Sequence, residues 1–212
     1  MSQHYDMCKK VTDTKCIKGI INISRNLEIP QKTAYFALGI YYKHALDSNC
    51  MKITAAGAAC IMLAGKINGS PRTLEQILRA SHRYYGINSE NMFKQDYEDA
   101  IEIELHACIL IDFDFSTNDP YKLLEVFCAE YHIPKQKALI IWTILNDSAC
   151  IPLQSAFSSR TILMTCIFVS ELIQGHPMDI SSFKQKFGLS DIQDTEINFI
   201  SEEIVSMYET LL

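Results

Sequence analysis

The sequence predicts an all-α protein built from two tandem five-helix units. Three observations carry that prediction. Apolar residues recur mostly three and four positions apart, and the strict alternation typical of strands is nearly absent. Pro30, Pro71, Pro120, Pro134 and Pro177 fall at the starts of helical patterns or between them, where a missing N–H costs little. The helices of the second half echo those of the first in length and order, although the residues themselves hardly repeat.

The first five helices are expected at 13–27, 30–46, 51–66, 73–85 and 92–111. Asn68-Gly69-Ser70-Pro71 breaks the chain before the fourth. Thr73 with Gln76 three residues later reads as a capping box, and Gly86 ends that helix. The second five are expected at 120–132, 134–148, 156–174, 180–187 and 192–211. Asp119-Pro120 supplies an N-cap followed by proline in the first turn. The junction falls near Ser116–Asn118. From Thr54 to Gly65 no residue is charged. A helix apolar on every side must be surrounded by protein, so the third helix is the centre of its unit. Ile162 to Val169 reads as its counterpart in the second unit. Trp142 sits on a helical stripe and reads as core.

Composition narrows the class. Of 212 residues, 48% are apolar and 21% charged, enough for one large domain or two small ones with ordinary cores. Twenty-five acids against nineteen bases give a net charge of −6, opposite to the basic face that neutralises phosphates, so direct nucleic-acid binding is not expected. Eight cysteines include no C-x-x-C pair, and Cys60, Cys108 and Cys166 sit in apolar runs. They read as reduced thiols of an intracellular, soluble protein, acting as small hydrophobes. Six histidines show no H-x-x-x-H spacing, so no metal site is expected. The N-terminus lacks the apolar core of a signal peptide. Ile162 to Ile173, interrupted by Glu171, is short of the roughly 20 residues that span a bilayer, so no membrane contact is expected.

Chemistry is equally sparse. The eight glycines form neither a P-loop nor a dinucleotide fingerprint, and no G-x-S-x-G elbow is present. Acid pairs such as Glu102/Glu104 and Glu202/Glu203 read as solvated helix faces. Neither cofactor nor small-molecule ligand is implied. A binding role, not an enzyme, is the remaining class.

Several segments carry a resemblance. Tyr41-Tyr42-Lys43-His44, Ala55-Ala56-Gly57-Ala58-Ala59-Cys60, Leu63-Ala64-Gly65-Lys66 and Pro71-Arg72 look like successive markers of a cyclin box. The run Ile101 to Phe115 resembles its fifth helix and exit. Asp119-Pro120-Tyr121 resembles the start of the second repeat in transcription-type cyclins, and Ile144 to Ser148 is similar to a segment of cyclin C. The match is good over 30–125 and looser over 126–212. The resemblance implies two tandem five-helix cyclin-box repeats: an extension at 1–12, a first repeat at 13–115 and a second at 116–212.

It also implies a function. Cyclins of the C, H, K, L and T kind bind and activate a cyclin-dependent Ser/Thr kinase, here one acting in RNA polymerase II transcription in the nucleus. A lysine ending helix 3 and a glutamate in helix 5 of that family pair at the kinase contact; they match Lys66 and Glu104. By position, Leu63, Ile67, Cys108, Phe113 and Phe115 would supply apolar contact. The residues alone leave alternatives open. Lys66 also fits a C-terminal lysine favoured by the helix dipole. Glu104 lies on the stripe Tyr97, Ile101, Cys108, Ile111 and wants either a partner or water. Phe113 and Phe115 also fit plain core.

Two departures bear on this. Asn68 and Gly69 stand where many cyclins carry acids, which keeps open a cyclin-fold protein that has lost kinase binding. Cys16-Ile17-Lys18-Gly19-Ile20 does not match the substrate-docking patch of cell-cycle cyclins, which favours the transcription type. About a dozen residues before the first helix and no C-terminal tail leave little room for destruction or recruitment signals. The alternative is a scaffold of the same fold, like general transcription factor IIB or the retinoblastoma pocket, without kinase activation.

Overall fold

A computed structural model of the chain describes residues 2–47, 52–114, 119–176 and 178–209. Among them are α1 (Ser2–Val11), α2 (Thr14–Asn26), α3 (Gln31–Asp47), α4 (Ile53–Ile67), α5 (Leu74–Tyr85) and α6 (Glu90–Leu110). There follow α7 (Pro120–Glu130), α8 (Lys135–Ser148), a 3-10 turn at Pro152–Ser155, α9 (Ser159–Ile173), α10 (Ile180–Phe187) and α11 (Asp194–Glu209). The described residues form no strand. The chain divides into two compact units, Met1–Ser116 and Thr117–Leu212. The expected junction at Ser116–Asn118 lies outside the described residues.

Helix boundaries follow local chemistry. Asp13, Ser89, Asp119, Ser158 and Asp179 each cap a helix by accepting a backbone N–H of its first turn. The Thr73–Gln76 capping box is formed in both directions, and Gly86 takes the left-handed conformation that stops α5.

In the first unit every residue from Thr54 to Gly65 is buried, with α2, α3, α5 and α6 packed around α4. Small side chains permit this. A methyl group at Gly57 would already touch Ile20 Cγ1 at 3.5 Å and Cys16 Sγ at 3.7 Å. Residues 1–12, expected as an extension, contain α1, packed on α3 with Tyr5 and Cys8 fully buried. Two inward residues three apart in a polar stretch give too short a period to read as an amphipathic helix.

In the second unit α9 takes the central place, buried from Thr161 to Glu171 and packed by α7, α8 and α11. Phe127, Tyr131, Phe183 and Phe187 form an aromatic cluster with ring centroids 4.7–5.1 Å apart. Tyr121 Oη donates to Asn146 Oδ1 at 2.7 Å, and Tyr208 Oη to Asp147 Oδ2 at 2.8 Å, so one end of α8 holds α7 and α11. α9 begins at Ser159, later than the expected 156, because the preceding turn is 3-10 and Ser158 is the cap. Trp142 is 40% exposed, against its expected place in the core. The inward stripe of α8 is Ile141, Ile144, Leu145 and Ser148, and Trp142 falls beside it.

Candidate functional site

Two helices of the first unit, α4 and α6, run in the same direction and are pinned at both ends. Near their starts Asp96, buried on α6, accepts hydrogen bonds from Thr54 Oγ1 at 2.7 Å and His82 Nε2 at 2.8 Å. Lys52 Nζ lies 2.7 Å from Asp99 Oδ2 beside it. At the other end Lys66 Nζ donates to Glu104 Oε1 at 2.6 Å. The lysine side chain is 53% exposed and the glutamate 17%. A carboxylate on an otherwise apolar face therefore has its charged partner, supplied by the last turn of α4.

The chain after Lys66 is folded back tightly. Ser70 N donates to Gly65 O at 2.9 Å, Ser70 Oγ and Thr33 Oγ1 are 2.8 Å apart, and Arg72 reaches Leu27 O with Nε and Nη2 at 3.3 and 3.1 Å. Gly65 leaves room for this return: a Cβ on it would stand 3.0 Å from Ser70 O, so the loop backbone would have to give by a few tenths of an ångström. The Pro71-Arg72 marker thus fastens the loop that follows Lys66 to the end of α2.

The other expected residues divide. Ile67 and Cys108 are half-buried near the pair. The Cys108 thiol is held above its ordinary range, first by burial and then by Glu104, with Lys66 opposing. Leu63 is 3% exposed and belongs to the core, so it supports the surface from beneath instead of presenting a contact. Phe113 is 55% exposed, not core. Asp112 and Phe113 both adopt φ near +52°, and Phe113 N returns to Cys108 O at 2.9 Å. Such a left-handed step is uncommon for residues with a Cβ and turns the chain abruptly off α6. Phe115 lies outside the described residues.

The structure adds residues that sequence reading missed. α6 turns Asp96, Ala100 and Ala107 inward, matching the small residues of α4. Its large apolar side chains point out: Tyr97, Ile101, Leu105 and Ile109 are 39%, 49%, 59% and 53% exposed, every fourth residue and so one continuous ridge. Glu104 and Cys108 border it. The available signal was the pair of alanines seven apart, which a helix rich in alanine and glycine can approach closely.

No protein-family model matches the sequence. Curated relatives include cyclin-T1-3 of Oryza sativa subsp. japonica, 20% identical over 200 residues, covering 89% of this chain and 41% of the relative. Cyclin-T1-2 of Arabidopsis thaliana is 24% identical over 204 residues, covering 89% and 43%. Human cyclin-K is 24% identical over 119 residues, covering 54% and 20%. The chain thus spans less than half the length of these relatives. Among solved structures, a chain of the yeast RNA Pol II CTD kinase CTDK-1 complex superposes with TM-score 0.81 at 15% identity, over 98% of this chain and 72% of that one. A chain of the Chaetomium thermophilum CAK complex bound to ATP-gamma-S gives 0.64 at 10% identity, over 100% and 75%. The chain thus has an all-α fold shared with these solved chains and is similar in sequence to cyclins T, K and L.

Proposed function

We propose that this chain is the non-catalytic, activating subunit of a nuclear cyclin-dependent kinase that phosphorylates the RNA polymerase II tail or related transcription targets. The observation that carries the reading is the Lys66–Glu104 pair, set at the edge of an exposed apolar ridge at the joined ends of α4 and α6. The likeness to a chain of an RNA Pol II CTD kinase complex supports the substrate class. In this reading the kinase's regulatory helix lies across the pair. Ile67, Cys108, Phe113, Leu105 and Ile109 bury apolar area against it, and Lys66 and Glu104 fix its register. Phe115 belongs to the same set by its place in the sequence. The kinase holds ATP and performs the transfer; the cyclin binds the active arrangement better than the inactive one and shifts the population toward it.

Co-purification with candidate kinases, followed by phosphorylation of a tail peptide, tests this. Wild type binds and activates, while Lys66→Ala and Glu104→Ala each lower activation by at least about tenfold, as expected for a contact worth roughly 1.4 kcal/mol. Normal binding and activation by both variants would show the surface to be elsewhere. Phosphorylation by the chain without a kinase would refute the non-catalytic role.

A further inference from the structure

His44 and His106 come from different helices of the first unit and meet nitrogen to nitrogen. His44, on α3, is 2% exposed, and its Nδ1 lies 3.0 Å from Nδ1 of His106 on α6. His106 Nε2 in turn lies 3.0 Å from Asp47 Oδ2 at the end of α3. The remaining nitrogen, His44 Nε2, is buried without a hydrogen-bond partner among the described residues.

A carboxylate only accepts, so the Asp47 oxygen 3.0 Å away favours a hydrogen on His106 Nε2. Two Nδ1 atoms in hydrogen-bond contact share one hydrogen, never two. In the neutral pair His106 Nδ1 is therefore the acceptor, His44 Nδ1–H the donor, and His44 Nε2 bare. A further proton has one place left while the contact persists. Whichever ring takes the charge, an N–H ends at His44 Nε2, in a buried position without an acceptor, where such a group costs most.

The surroundings do little to relieve this. The groups acting on His44 are His106 from α6 and Asp47 from its own helix. The titratable side chains turned inward by the other helices packed on α3 are Tyr5 and Cys8 of α1, Cys16 of α2 and Cys60 of α4, none of them a carboxylate or an amine. A groove of about 350 Å³ lined by Met7, Lys43, Leu46, Asp47 and Leu110 brings solvent to the Asp47 end. His44 stays covered.

We infer that Asp47, His106 and His44 form an acid-sensitive joint between α3 and α6, closed while both imidazoles are neutral and opened by proton uptake. His106 lies two residues from both Glu104 and Cys108, so opening loosens the half of α6 that carries them. The inference does not depend on which partner that surface binds.

Two measurements on the whole chain test it. Imidazole nitrogen NMR near pH 7 should show His44 as the Nδ1–H tautomer. Amide exchange should show protection of residues 103–110 falling, as pH drops below about 6.5, by about tenfold per pH unit for each proton taken up. His44→Phe removes that dependence, and Asp47→Asn, at an exposed position, moves its onset to lower pH. An Nε2–H tautomer for His44, or the same pH dependence in His44→Phe as in wild type, overturns the joint. If His44→Phe does not fold, the wild-type tautomer and the Asp47→Asn shift decide.

Discussion

Lys66 and Glu104 form one contact but stand differently toward water, and this orders what their removal does. The lysine is half-exposed, so its pairing adds about 1 kcal/mol or less to stability. Denaturant unfolding of Lys66→Ala should therefore move little, while activation of a bound kinase falls well beyond that. The glutamate was legible as the lone acid on an apolar stripe. The lysine was legible only through the family resemblance, since a cation at a helix C-terminus is ordinary. Leu63 was not legible as core or contact: in a helix apolar all round, no residue marks the outward side. Thiol labelling offers a second check at this scale. Burial pushes Cys16 and Cys166 up to about 12 and Cys60 well above its usual range. The thiolate is the reactive form and needs access to the reagent, so these three buried thiols should stay unmodified in the native protein while Cys108 and Cys128, also raised by burial but partly exposed, react slowly, as peptide mapping after alkylation would show.

At the scale of the element, α6 reverses the usual pattern of a surface helix. Its alanines and one aspartate face the core, while Tyr97, Ile101, Leu105 and Ile109 face water. A stripe read by periodicity alone was bound to be assigned to the interior. The two faces make opposite predictions. Leu63→Ala in the core should cost about 2–5 kcal/mol of stability. Leu105→Ala on the ridge should leave the melting temperature nearly unchanged and weaken partner binding instead, by titration against the kinase. Gly65→Ala adds a different test, because the atom it meets is backbone. It should push the 68–71 loop away and destabilise the first unit by about 1–3 kcal/mol. The starts of α5 and α7 were legible from their capping residues, Thr73 and Asp119; α1 was not, because its polar stretch holds no full apolar period.

For the whole molecule, the tandem plan was visible in helix order and length and in two central helices free of charge along most of their course, not in repeated residues. The 20–24% identity with the cyclin relatives named above agrees with that: many sequences satisfy the same pattern of small, large and capping positions. The charge balance makes its own prediction. Duplex DNA should not be retarded by the chain in a gel shift at about 0.15 M salt, where an acidic protein has no counterions to displace. Clear retardation would favour the transcription-factor-IIB kind of scaffold. The ridge on α6 has a further consequence, for supply. On the proposed reading, a chain synthesised in excess of its kinase carries the exposed side chains of Tyr97, Ile101, Leu105 and Ile109 into a crowded cell. Such an orphan is a substrate for chaperones and proteases, and its abundance would follow that of the partner that hides the ridge, whatever the rate of its own synthesis.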